Sequence, residues 1–120
     1  MDITKAIAEL KKEPGFAENV GMMLVHNGVV RAWSRGDKKT VTSVNVKPDR
    51  AKMEAIRKEM EKREGIFRIL VDANEGELMP GDDLLFLVVA GDIRENVKAV
   101  FSELLDRVKS EAVVKVEKKA

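Results

Sequence analysis

Cysteine is missing from the 120 residues altogether, histidine occurs once, as His26, and tryptophan once, as Trp33. Each shortage closes off a chemistry. With no thiol there is no disulfide, no thiolate nucleophile, no zinc–thiolate site and no iron–sulfur cluster. A single imidazole argues against a self-contained zinc or di-iron centre. An excess of one sign of charge is missing too: 22 Lys and Arg face 21 Asp and Glu, a formal net charge of +1. That near-balance, with only four Phe and one Trp, speaks against a nucleic-acid-binding domain that works by bulk electrostatics and base stacking. No apolar run approaches the roughly 20 residues of a membrane helix. Residues 1–12 scatter their charges through the segment instead of placing them before an apolar core, unlike a signal peptide. The expectation is a cytoplasmic protein with no membrane and no nucleic-acid partner. Its chemistry must rest on Lys, Arg, Asp, Glu, Ser or Thr, or on groups that a partner brings.

What is present suits one globular domain over residues 1–120, with 44% apolar and 36% charged residues. Ile3, Ala6, Ile7 and Leu10 recur at spacings of three and four, the apolar stripe of a helix that Asp2 caps and Pro14-Gly15 ends. Residues 22–25 and 29–33 read as strand, with Gly28 as a bend or bulge between them. Residues 34–39 read as a mobile polar loop carrying Arg35, Lys38 and Lys39. A strand over 40–46, with Thr42, Val44 and Val46 on one face, runs into a Pro48-Asp49 stop and restart signal. The second helix is predicted over 50–64, with Met53, Ile56 and Met60 inward and Gly65 as its C-terminal cap. A strand over 66–71 follows, then a turn in residues 76–82 whose Pro-Gly pair suits type II geometry. Residues 84–90, the most apolar stretch, predict a central strand covered on both faces. Asp92 and Glu95 make a capping-box-like start to a third helix, buried along Val97, Val100, Phe101, Leu104, Leu105 and Val108. Residues 112–116 form a last short strand. The order αββαββαβ predicts an α+β fold, with helices packed on a mixed or antiparallel sheet.

Three segments carry a resemblance. Asn27-Gly28-Val29-Val30-Arg31, followed by a polar loop with Gly36-Asp37, resembles the glycine-x-valine-arginine strand of the molybdopterin synthase large (catalytic) subunit. Gly76-Glu77-Leu78-Met79-Pro80-Gly81-Asp82 is similar to that family's G-E-L-x-P-G-D signature. The third helix, reaching Asp106-Arg107-Val108-Lys109-Ser110, resembles the helix that ends in the family's lysine–threonine/serine pair.

The resemblance implies an α/β-hammerhead-like fold and a sulfurtransferase. The family installs two sulfurs on cyclic pyranopterin monophosphate to form the molybdopterin dithiolene. The sulfur arrives as a thiocarboxylate on a ubiquitin-like small subunit, and two large subunits pair as a homodimer within a heterotetramer. It implies no resident cofactor and no metal. It implies that Arg31 and Arg94 bind substrate anions and that Lys109 is catalytic, with Lys115 the nearest match to a second family lysine. The sequence departs from the pattern at Ile93, where the family has a histidine. It departs again over residues 112–117, which lack the family's two aromatics and displace the lysine by about one position. These departures leave a second expectation open, a non-catalytic dimeric relative that binds a ubiquitin-like partner or a pterin. Without the resemblance, Arg31 and Arg94 read as surface charges and Lys109 as compensation of a helix dipole. Lys115 then reads as a solvent-facing strand residue, His26 as a satisfied packing histidine and Trp33 as a cover for the sheet.

Overall fold

The computed structural model describes residues 1–120. Its elements run α1 (Ile3–Leu10), α2 (Phe16–Asn19), β1 (Met22–Val29), β2 (Val41–Pro48), α3 (Arg50–Glu61), β3 (Ile66–Ala73), β4 (Gly76–Leu78), β5 (Asp83–Gly91), α4 (Arg94–Arg107) and β6 (Val113–Lys119). A single π turn, Val108–Ala112, joins α4 to β6. The strands form two three-stranded sheets, ordered β1-β5-β3 and β4-β2-β6, and every pairing is antiparallel. The architecture is α+β, in two sheets where the sequence led us to expect one.

β5 is the spine of the molecule. Leu84 to Gly91 are all buried, as a strand without polar residues requires, because neither of its faces meets water. Leu85, Leu87 and Val89 share a core with Val97, Val100, Leu104 and Val108 of α4. Val88 and Ala90 pack on the opposite face with Leu10 of α1. The apolar stripe of α4 is buried as its spacing predicts, with Phe101 and Leu105 half-buried at its margins.

Local signals explain most boundaries. Asp2 accepts a hydrogen bond from the Lys5 amide at 3.1 Å, and Asp49 from the Lys52 amide at 3.0 Å, so each caps its helix. Such caps contribute about 1 kcal/mol each. The Met79 carbonyl accepts from the Asp82 amide across Pro80-Gly81, and Gly81 takes φ 95°, which only glycine adopts without strain.

Other boundaries differ from expectation. Residues 29–33 are not a strand of their own: β1 runs unbroken through Gly28 to Val29, and Trp33 only bridges Thr40. Pairing with β5 absorbs the irregularity as a register shift at Gly28/Val29. A second shift, at Val41/Ser43, turns Thr42 out to solvent, away from Val44 and Val46. The helices also stop earlier than predicted, α3 at Glu61 and α4 at Arg107. Asp92 does not close a capping box. Its Oδ1 accepts from the Ile93 amide and from the Asn96 side chain, while Glu95 pairs with Arg94.

Candidate active site

Four pieces of chain meet at one end of the β1-β5-β3 sheet. β1 arrives with His26 and Gly28 on the same face, as residues two apart on a strand must be. A side chain at Gly28 would place its Cβ 2.9 Å from His26 Nε2, so the imidazole occupies space that any larger residue at 28 would push it out of. Val30 is then clamped by the 79–82 turn: its amide donates to the Asp82 carbonyl at 2.9 Å, and its carbonyl accepts from the Gly81 amide at 2.8 Å. The turn thereby sets the point at which Arg31 leaves the sheet.

The polar loop 34–39 is tied down where the sequence suggested mobility. The Ser34 amide donates to the Lys39 carbonyl at 2.8 Å, and the Ser34 hydroxyl donates to Glu117 Oε1 at 2.9 Å. Lys119 Nζ donates to Asp37 Oδ2 at 2.7 Å. Both side-chain links fasten the loop to β6. From the other side, α4 leaves the far end of β5 and runs back along the sheet. Its 14 residues span about 21 Å, enough to bring the π turn and Lys109 to the same end. π turns of this kind recur at functional sites, because the wider turn re-aims the side chains that follow. β6 adds Lys115 and Glu117.

The result is an open cleft of about 610 Å³. Arg31, Arg35, Lys109 and Lys115 contribute four cations to its lining, and Glu117 the one carboxylate. Three residues singled out in the sequence, Arg31, Lys109 and Lys115, therefore come together. Arg35 and His26 join them. Arg35 was visible only as a basic loop residue, and His26 read as a packing group.

Electrostatics within the cleft follow from this crowding. Lys115 is exposed as a residue, but its amine faces the cleft. Loss of hydration, chiefly, and the Arg31 and Lys109 cations hold its pKa below the ordinary lysine value; Glu117 opposes this and Arg35 adds to it. Burial first and the Lys109 cation second lower the His26 pKa from its usual value, which keeps the imidazole neutral at pH 7. His26 Nε2 is buried without a hydrogen-bond partner. The histidine is thus unsatisfied, contrary to the packing role its sequence context suggests.

Arg94 does not join this group. It opens α4, is largely exposed, and sits 3.6 Å from Glu95. Gly28 lies beside Leu85 and Met22 beside Gly91, so the start of α4 is at the opposite end of the sheet. Six residues of β5 separate the two levels, about 20 Å. A second depression of about 480 Å³ is lined by Glu18, Asn19, Gly65, Ile66, Phe67 and Asp92. With two carboxylates and no cation it offers an anion nothing. No helix of the chain is long and apolar enough to cross a membrane.

Known proteins resemble this chain in sequence and in fold. The profile of the MoaE protein family matches residues 1–111. A "Probable molybdopterin synthase" of Haloferax volcanii is 32% identical over 115 residues, a match covering 92% of this chain and 44% of that protein. The chain thus spans less than half the length of this curated relative. Molybdopterin synthase from Staphylococcus aureus superposes with a TM-score of 0.72 at 20% identity, over 84% of this chain and 76% of that one. Molybdopterin cofactor biosynthesis protein E from Burkholderia multivorans gives 0.76 at 19%, over 100% and 86%. A complex of subunits 1 and 2 of molybdopterin-converting factor from Helicobacter pylori gives 0.69 at 18%, over 98% and 78%. At these identities the solved structures establish a shared fold, and the sequence match over nearly the whole chain establishes the lineage: this chain belongs to the MoaE protein family.

Proposed function

We propose that the chain is the large subunit of a molybdopterin synthase, working in molybdenum cofactor biosynthesis. It takes sulfur from a thiocarboxylated, ubiquitin-like small subunit and delivers it to cyclic pyranopterin monophosphate, forming the dithiolene of molybdopterin. The observation that carries the proposal is the convergence of Arg31, Lys109 and Lys115 on one cationic cleft. The Helicobacter pylori relative, which is a two-subunit complex, supports a small-subunit partner.

The cleft suits a transfer between two anions. Thiocarboxylate and phosphate repel one another, and fixed cations offset that repulsion more effectively where water is partly excluded. Arg31 and Arg35 offer planar donors to phosphate oxygens. Lys109, on the turn after α4, is placed to hydrogen-bond the thiocarboxylate and to give a proton to the oxygen that leaves the pterin carbon as the C–S bond forms. Water then hydrolyses the resulting thioester, so that the carrier departs as a carboxylate and the sulfur stays on the pterin. Lys115, with its lowered pKa, is neutral more often than an ordinary lysine at neutral pH and is therefore available to accept a proton. No cysteine is needed, because the carrier supplies the sulfur.

Arg94 has a role in this scheme only in the expected homodimer. It lies about 20 Å from the cleft of its own chain, and so serves substrate phosphate in the cleft of the second copy.

Reconstitution with a thiocarboxylated small subunit and cyclic pyranopterin monophosphate tests the proposal, with molybdopterin read as its fluorescent oxidation product. Product is expected from the natural chain and is lost in Lys109→Ala, an exposed position whose truncation leaves the thermal melt unchanged. A stable complex that yields no product would establish the non-catalytic relative instead.

A further inference from the structure

Trp33 is the sole tryptophan and is 43% exposed, and it does not line the cleft. Two cations lie over its ring. The Arg31 guanidinium carbon is 4.7 Å from the ring centroid, and Lys38 Nζ is 4.4 Å away. Neither cation is spent on a carboxylate, whereas Arg57, Arg68 and Arg107 each pair with two. An arginine that rests its flat face on an indole keeps all its N–H donors free for a ligand at its edge.

The surrounding backbone is built to hold this stack. Lys38 is the only non-glycine residue with positive φ, at 61°, a left-handed conformation that costs an L-residue energy and here sets its amine over the indole. Trp33 is bridged to Thr40, and the loop is fastened to β6 through Ser34–Glu117 and Asp37–Lys119. A strained backbone and three tethers flank a ring that is nearly half exposed.

We infer that Trp33 is a positioning residue for anion recognition: it holds the Arg31 guanidinium at the rim of the cleft, oriented for an oxyanion of the phosphate class. Lys38, on the same ring, adds charge to that rim. The inference rests on the reading of the cleft as an anion site and assigns a task to a residue outside it. An unsupported arginine would sample many rotamers and lose that freedom on binding; the indole removes part of that loss beforehand.

Inorganic pyrophosphate is the probe, titrated by calorimetry into the full chain. Trp33→Leu is expected to bind it about two- to fivefold more weakly, the equivalent of one exposed cation–π contact. Trp33→Phe restores most of the affinity, and both variants keep the natural urea midpoint. Because Trp33 is the only indole, its emission reads the stack directly. Arg31→Ala is expected to shift that emission before any anion is added, and pyrophosphate to shift it in the natural chain. Equal affinity in Trp33→Leu and the natural chain, with Arg31→Ala still weakened, overturns the positioning role and leaves the cleft reading intact. Unchanged affinity in Arg31→Ala defeats the cleft reading, and the inference with it.

Discussion

Arg94 and Lys109 stand at opposite ends of one helical path, fifteen residues and about 22 Å apart. Both face anions in the proposed reaction, so in a single chain they cannot meet the same small substrate. A pair of copies resolves this if each Arg94 serves the other's cleft.

Mixing two inactive variants tests that arrangement. Co-expression of Arg94→Ala with Lys109→Ala yields a heterodimer in which one cleft has both groups intact. Activity is expected to return to roughly a quarter of the natural level, since half the dimers are mixed and each carries one intact site. No recovery, with dimers demonstrably mixed, would mean that Arg94 acts elsewhere.

Lys115 is expected to react with an amine acylating reagent at pH 8 faster than the other lysines. Its lowered pKa leaves more of it neutral below the ordinary lysine value. Lys119, held above that value by its hydrogen bond to Asp37, should label slowly. Since the Lys109 cation contributes to the effect, Lys109→Met should slow labelling at Lys115. Peptide mass spectrometry reads all three rates, and equal rates at Lys115 and Lys119 would refute the assignment.

His26→Phe should stabilise the fold by about 1 kcal/mol at neutral pH, because it removes a buried nitrogen with no partner. The gain should grow on acidification. With the folded pKa of His26 below its usual value, the unfolded chain takes up a proton that the native state refuses. The natural chain therefore loses stability as pH falls from about 6.5 towards the native pKa. Urea midpoints of the two proteins at pH 7.5 and 5.5 measure this, and a gap that narrows on acidification would contradict it.

Ser34→Ala breaks the hydroxyl bond to Glu117 at a buried position. A cost of about 1–2 kcal/mol is expected from losing a bond to a carboxylate. Amide exchange should accelerate over residues 34–39, with the β5 amides changed only by the fall in global stability. Loop exchange that stays at the natural rate would show that the other tethers suffice.

Much of the fold was legible because the relevant physics is local. The spacing from Val97 to Val108 specifies a helix face, and the polar-free run at 84–90 specifies a doubly covered strand. Pro80-Gly81 specifies its turn. Where expectation failed, pairing had intervened. Gly28 reads as a break, yet β1 passes through it because β5 supplies partners on either side of a bulge. β4 is three residues long and exists only through its pairing with Val44–Val46. Thr42 faces outward because of a register shift against β6 that no alternation within 40–46 encodes. For Arg94 and Lys109, the helix length already implied their separation; which end reaches the other cations depends on the direction in which α4 crosses the sheet.

The sequence by itself determined the absence of thiol and cluster chemistry, the helical and strand periods, the 79–82 turn and the family. These are properties of composition or of a few consecutive residues. The tertiary structure decided which charges share a cleft, that Trp33 carries Arg31 and Lys38, and that His26 is left without a partner. Ser34 meets Glu117 across 83 residues of chain. The proton affinity of Lys115 reflects residues from β6, the π turn and the β1–β2 connection at once. Charge interactions act through space, so they are set only when strand register and helix direction have brought distant segments within a few ångströms.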